Sequence, residues 1–266
     1  MPGKGLGNMA FKFKKFLKAF ARSRDFRYAM ECAGVSSSRS LERLAWKGMT
    51  FFYRPRTSDA FVAYECFLHG KRNAYFSAFM PSASSVKTIV DVGANVGGSV
   101  IFFKSIYPGA RIHCFEPVPS NFHVLSQNCE GLANVTPHNE ALGDLNGEIT
   151  LIHSPSIGNE GGWSVFQRGA TGGEEKVLIP IKKSGDRLAE LGVVQIDILK
   201  VDTEGAEKMI IRGLGDDMLA RTNYICGELH GERDFELLDY LEQRGFRIGV
   251  RKSAKAVLFN FEAIRV

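Results

Sequence analysis

A chain of 266 residues with 44% hydrophobic and 24% charged side chains has the balance of a globular protein, long enough for one domain of ordinary size plus an appendage. Disordered and fibrous classes are excluded. The net charge of +5 is unevenly placed, because residues 1–27 carry eight Lys/Arg against the single acid Asp25, a local +7, and the remainder sums to −2. The basicity belongs to a tail, which argues against a nucleic-acid surface spread over the fold, and no nucleic-acid partner is expected.

The first pattern along the chain is FKFKKFLKAF at 11–20, where Phe13, Leu17 and Phe20 recur at helical spacing with Phe16 beside them and lysines on the other faces. Over 11–28 this predicts a basic amphipathic helix with two readings. Packing on its own protein as a cap is the commoner fate of such helices; the alternative is peripheral contact with an anionic membrane or partner. Lysines interrupt the apolar run, so it does not read as a secretory signal. The five cysteines, Cys32, Cys66, Cys114, Cys129 and Cys226, form no C-x-x-C pair and suggest neither disulfides nor a zinc site, so a cytoplasmic location is expected. The uncharged stretch 92–103 is too short and too glycine-rich to span a bilayer. Residues 41–44 read as helical and 60–67 as ambiguous, and a small cap subdomain is placed at 1–84, ending in a serine-rich linker.

From residue 85 onward apolar runs alternate with helical patterns, the rhythm of a parallel sheet covered by helices. Strands are predicted at 88–92, 111–115, 134–138, 196–201 and 223–229, and helices beginning near Gly97, Ser120, Gly205 and Asp234. Two closing strands, 246–251 and 256–261, should pair antiparallel at one edge. Further strand-like runs lie at 148–152 and 177–181. The glycine-rich stretch 156–176 between them, holding Trp163, reads as a lid or binding loop.

After the first of these strands comes DVGANVGGSV at 91–100. Gly93 and Gly98 match the ends of the dinucleotide fingerprint, but Asn95 fills the place where a bare glycine would touch a pyrophosphate. The acid Asp91 and helix N-terminal amides suit instead a methionine ammonium and carboxylate. Glu116, 25 residues after Asp91 and at the end of the next strand, is placed to accept both hydroxyl protons of a ribose. That acid is common to NAD enzymes and to enzymes of S-adenosylmethionine (SAM), so it does not separate them.

The ordered blocks IVDVGANVG, FEPVPSNF, ALGD, LKVDTEGAE and GELH resemble the FkbM family of SAM-dependent methyltransferases over about residues 88–230. The resemblance implies the class I, Rossmann-like α/β fold: a mostly parallel seven-stranded sheet with an antiparallel edge strand, here carrying an N-terminal helical extension, with the methyltransferase domain at 85–266. It implies SAM as cofactor and methyl transfer to a hydroxyl of a sugar, glycoconjugate or natural product. Carried over by position, Asp91, Gly93, Asn95 and Gly97 look like the methionine-end loop, Glu116 with Pro117 like the ribose site, and Glu140 with Ala141 like the residues beside adenine. An NAD-dependent oxidoreductase and a non-catalytic SAM-binding scaffold are the rival readings.

In the strand order common to this fold, 3-2-1-4-5-7-6, strands one and four are neighbours, which sets Lys200, Asp202, Thr203 and Glu204 across from the glycine loop. Asp202 is the first candidate for a role beside the methyl group and for cofactor contact, and Glu204 a weaker one. Glu207 reads better as an acid favoured by the start of the following helix. Glu228 and His230 share one side of the next strand at its functional end, where a histidine can take a hydroxyl proton. Asp202, Glu228 and His230 could also gather round a divalent cation such as Mg²⁺; their spacing is not diagnostic, and no metal site is assigned. Trp163, Asn159 and Ser164 in the glycine-rich loop are candidates for holding the acceptor. His113, on a strand, reads as packed.

Overall fold

A computed structural model describes residues 3–70, 75, 77–153, 163–164, 175–229, 232–252 and 258–266. Its centre is a seven-stranded sheet of β3 (Thr88–Val92), β4 (Arg111–Phe115), β5 (Val135–His138), β10 (Ile196–Val201), β11 (Thr222–Leu229), β12 (Phe246–Lys252) and β13 (Phe259–Arg265), in the order β12-β13-β11-β10-β3-β4-β5. Neighbours from β5 to β11 are parallel, and β13 runs antiparallel between β11 and β12. The order is the one expected; the antiparallel strand lies one place in from the edge. It also begins later than 256–261 suggested, because the alternation that reaches the core is Phe261 and Ala263. The inner strands are continuous apolar runs, as parallel strands covered on both faces must be.

One face of the sheet is covered by α4 (Gly98–Ile106), α5 (Pro119–Cys129) and the N-terminal elements, which share a single apolar cluster including Tyr28, Leu44, Phe51, Phe103, Ile112 and Tyr224. The other face is covered by α6 (Ser184–Glu190), α7 (Glu207–Gly213), α8 (Gly215–Ala220) and α9 (Glu236–Glu242), packed through Leu188, Ile211, Leu219 and Leu241. The runs predicted at 148–152 and 177–181 belong to a second, four-stranded sheet. It comprises β6 (Ala141–Gly143), β7 (Gly147–His153), β8 (Trp163–Ser164) and β9 (Glu175–Lys183) in the order β6-β9-β7-β8.

The N-terminal region departs from the sequence reading in two places. The amphipathic helix is α1 (Gly3–Ser23); the chain breaks at Arg24, whose φ is 56°, and Asp25 caps a separate α2 (Phe26–Cys32) by accepting the Tyr28 N–H at 2.9 Å. Residues 41–44 are not helical. They start the hairpin of β1 (Glu42–Trp46) and β2 (Met49–Tyr53), turned at Lys47 and Gly48 with both φ values positive. Its alternation buries Leu44, Phe51 and Tyr53 against the sheet and leaves Arg43 to solvent, a period of two that won over the helical reading. The ambiguous stretch 60–67 forms α3 (Asp59–Ala63), running directly into a π-helical turn, Tyr64–Leu68. Among the described residues no helix is long and apolar enough to cross a membrane.

Candidate active site

The sheet brings the carboxyl ends of β3, β4, β10 and β11 together. After β3 the chain turns through Gly93, Asn95 and Gly97, whose φ values are 75°, 50° and 90°. Asparagine is among the few residues with a side chain that tolerate that conformation. A Cβ on Gly93 would stand 2.0 Å from the Asp202 carbonyl oxygen, so the glycine lets loop and β10 meet backbone to backbone. The Asp202 N–H donates to the Val92 carbonyl at 3.2 Å, and Val201 pairs with Val92. The predicted adjacency of the glycine loop and Asp202 is therefore observed.

Beneath the loop lies a charged pair inside two apolar strands. Asp91 and Lys200 are buried, with Lys200 Nζ 3.0 Å from Asp91 Oδ1 in ion-pair geometry without an aligned hydrogen bond. Lys200 donates to the carbonyls of Gly93 at 2.6 Å and Val92 at 3.3 Å, and the Ser99 hydroxyl donates to Asp91 Oδ2 at 2.5 Å. Burial pulls the ammonium down, but Asp91 and Asp202 beside it outweigh burial and hold its pKa above the usual lysine value. The buried Asp91 carboxylate, with Lys200, holds the loop from beneath.

Glu116, just past β4, is buried. Its Oε2 accepts the Asn95 N–H and its Oε1 the Val118 N–H, both at 2.9 Å, which ties the glycine loop to the strand. Burial pushes its carboxyl up to about 7, against the opposing pull of those two amides, of Lys200 and of Asn121. The Asn139 amide donates to the carbonyls of Glu116 and Pro117 at 2.9 and 3.0 Å. The Glu140 carboxylate pairs with Arg187 at 2.6 Å and lies 3.9 Å from His138, contacts that sequence could not foresee. Ala141 is half-buried at the start of β6.

The acids beyond β10 divide as their partners dictate. Glu207 is buried, its Oε1 receiving the N–H groups of Thr203 and Gly205 and the Thr203 hydroxyl, the structural role expected of it. Glu204 occupies the same turn at φ 56° and is half-buried. Glu228 follows Gly227, which pairs with Val201, so it stands one strand from Asp202, with Asn260 Nδ2 at 3.4 Å from its Oε2. His230 and Asn159 lie outside the described residues; Trp163 and Ser164 form β8, paired with β7. Among the described residues no cluster of His, Cys, Asp or Glu is arranged to hold a metal ion.

Three contacts from the N-terminal elements were not legible beforehand. The Tyr75 hydroxyl donates to Asp202 Oδ2 at 2.8 Å, its buried ring stacked on Phe103 and 5.5 Å from Lys200 Nζ. Burial, then Asp202, pushes its pKa well above the tyrosine range, so it stays a donor. Arg54, held by Asp59 at 2.8 Å, donates to Asn121 Oδ1 at 2.8 Å, and Asn121 in turn faces Glu116. Val62 and Cys66 cover the start of α4: a Cβ on Gly98 would meet them at 2.6 and 3.0 Å. The π-helical turn, a feature often found at functional sites, packs here.

The site suits SAM on its own evidence. Asn95 Oδ1 is a buried acceptor without a hydrogen-bond partner, open to an ammonium, and Glu116 keeps lone pairs for two hydroxyls beyond those given to the amides. Sheet order and glycine loop are those of a class I SAM-dependent methyltransferase. The family model described as the methyltransferase FkbM domain matches residues 91–248, and the chain belongs to that family, which sets aside the oxidoreductase reading. Among curated relatives, Methyltransferase 1 of Beauveria bassiana is 28% identical over 62% of this chain and 74% of its own length. The 2-O-methyltransferase NoeI of Sinorhizobium fredii is 27% identical over 56% of this chain and 65% of its own, so the match spans about two thirds of that relative. A Methanococcus jannaschii fibrillarin pre-rRNA processing protein covers 87% of the chain and 86% of its own at a TM-score of 0.50 and 12% identity, a likeness of fold alone.

Proposed function

We propose that the enzyme methylates a hydroxyl oxygen of a sugar, glycoconjugate or natural product, with Asp202 taking the hydroxyl proton. The observation that carries this reading is the meeting of Asp202 with the glycine loop, backbone against backbone at Gly93, while Tyr75 holds Oδ2 of its carboxylate. When bound, SAM supplies an electrophilic methyl group. The chain's residues do the rest: Asn95 Oδ1 receives the methionine ammonium, Glu116 beside Pro117 receives the ribose hydroxyls, and Ala141 flanks the adenine. Asp91 and Lys200 keep the loop, with Gly93 and Gly97, in shape. With Oδ2 given to Tyr75, the acceptor's proton passes to Oδ1, and a positioned base of this kind contributes about 10²–10⁴ in rate. Glu228 and Glu204 serve the acceptor, and the acceptor roles read from the sequence for His230, Trp163, Asn159 and Ser164 belong to the same proposal. Oxygen as the target is supported by the 2-O-methyltransferase relative. Residues 85–266 form the methyltransferase unit and 1–84 its cap; the enzyme is cytoplasmic, with residues 1–27 in peripheral contact with an anionic surface.

Calorimetry with SAM, its product S-adenosylhomocysteine (SAH) and NAD, with and without Mg²⁺, tests the cofactor site. Transfer of labelled methyl from SAM to matched hydroxyl and amine acceptors tests the chemistry. The expected result is transfer to hydroxyls that falls about a hundredfold or more in Asp202→Asn. Transfer confined to amines, or an Asp202→Asn variant of unchanged rate, refutes the proposal.

A further inference from the structure

Helix α1 presents two apolar rows, and among the described residues only one is packed. Ala19 is buried, and Phe16 and Phe20 pack against the core. The other row is Met9, Phe13 and Leu17, spaced four residues apart on one side of the helix and 70%, 61% and 49% exposed. Phe26, in edge contact with Phe16 at 5.4 Å, is also exposed. A cap helix needs its inner row only. A second contiguous row of large apolar side chains on a surface marks a contact site.

The charges decide what covers it. Lys14 and Lys18, each next in sequence to a member of the row, are exposed, and Lys15 lies over the Phe11 ring at 4.8 Å. The one acid in residues 1–27, Asp25, is spent as the α2 cap. A second copy of this chain would set +7 against +7. A nucleic-acid duplex, its bases stacked inside, would satisfy the lysines and leave the phenylalanines wet. A surface that is anionic outside and hydrocarbon a few ångströms further in satisfies both.

We infer that the Met9-Phe13-Leu17 face of α1, flanked by Lys14 and Lys18, lies in the interface of an anionic phospholipid bilayer while the Phe16-Ala19-Phe20 face stays docked on the enzyme. The inference rests on the reading of residues 1–27 as a contact surface and is independent of the methyl acceptor. The substituted side chains are exposed, so the variants keep the fold.

The test is sedimentation of the full chain with vesicles of phosphatidylcholine alone and of an equimolar mixture with phosphatidylglycerol, with SAH calorimetry on each protein. The expected result is binding to the mixed vesicles that weakens with salt. It should fall at least about tenfold in Phe13→Ser/Leu17→Ser and in Lys14→Glu/Lys18→Glu, with SAH affinity unchanged. Equal binding to both vesicle types overturns the inference, as does full binding by the Phe13→Ser/Leu17→Ser variant. Failure to bind either vesicle also overturns it, and self-association lost in the same variant would then identify a second copy as the occupant. Loss of SAH binding in the unsubstituted chain would instead count against the cofactor site.

Discussion

If Glu116 holds the ribose, cofactor affinity must follow its titration. Its carboxyl sits at about 7 because burial outweighs the two amides that point at it. Above that pH the carboxylate accepts two backbone N–H groups and has lone pairs for two hydroxyls. Below it, one oxygen becomes a donor facing donors, and acceptor sites are lost. With binding confined to the ionised form, about one molecule in eleven is competent at pH 6 and nine in ten at pH 8, so SAH should bind about tenfold more weakly at pH 6. The same shift affects stability with the opposite sense. A carboxyl raised from 4.5 to about 7 on folding binds more protons in the folded state across that window, so the apo protein loses stability as pH rises through it, by about 3 kcal/mol. Saturating SAH should restore that loss. Calorimetry across pH 6–8, with denaturation across pH 4–8 in parallel, makes the measurement, and Glu116→Ala should abolish both trends. An SAH affinity constant within twofold from pH 6 to pH 8 refutes the reasoning.

Tyr75→Phe removes the hydroxyl that holds Asp202 Oδ2; transfer of labelled methyl should slow about tenfold, as one hydrogen bond to a charged group implies, while SAH binding by calorimetry stays as it was. Lys200→Ala strands the buried Asp91 carboxylate and should cost about 3–5 kcal/mol in urea unfolding; a cost below about 1 kcal/mol would mean that the pair does not shape the loop. The stacked pair His113 and His138 is held neutral by burial first, with His138 lowered from 6.5 to about 4 by burial, His113 and Arg187. The unfolded chain therefore gains protons first as pH falls from 6.5 to 4, and His138 alone should remove about 3 kcal/mol of stability over that window. Denaturant midpoints should show that acid slope and show it reduced in His138→Phe.

The parts of the site legible in the sequence are those encoded by neighbours along the chain. The apolar runs ending in Asp91, Glu116 and Asp202 each mark a strand and its functional end at once, and the adjacency of Asp202 and Gly93 followed from strand order. Side chains whose meaning lies across the fold could not be read. Tyr75 is 127 residues from Asp202 and Arg54 67 from Asn121, with no local pattern to announce either. The partner of Glu140, Arg187, is 47 residues away and was equally hidden. The β1-β2 hairpin was missed because the acid and base in Leu-Glu-Arg-Leu mimic a helix face, and because Lys-Gly is a weaker turn signal than Asn-Gly.

The packing of α1 changes which experiment isolates its outer face. Its inner row is fastened to the core, and Arg22 donates to the Leu68 carbonyl at 2.7 Å with its guanidinium 5.5 Å from the Tyr64 ring, so α1 braces the π-helical turn. That turn places Cys66, with Val62 before it, against Gly98 at the start of α4, directly after the glycine loop. Removing residues 1–27 would therefore loosen the cover over the start of α4 beside the glycine loop. The expected outcome is that this deletion lowers SAH affinity together with vesicle binding, whereas Phe13→Ser/Leu17→Ser lowers vesicle binding alone. A deletion that keeps full SAH affinity would show that α1 braces nothing, and that the cap's hold on the site rests on Tyr75 and Arg54.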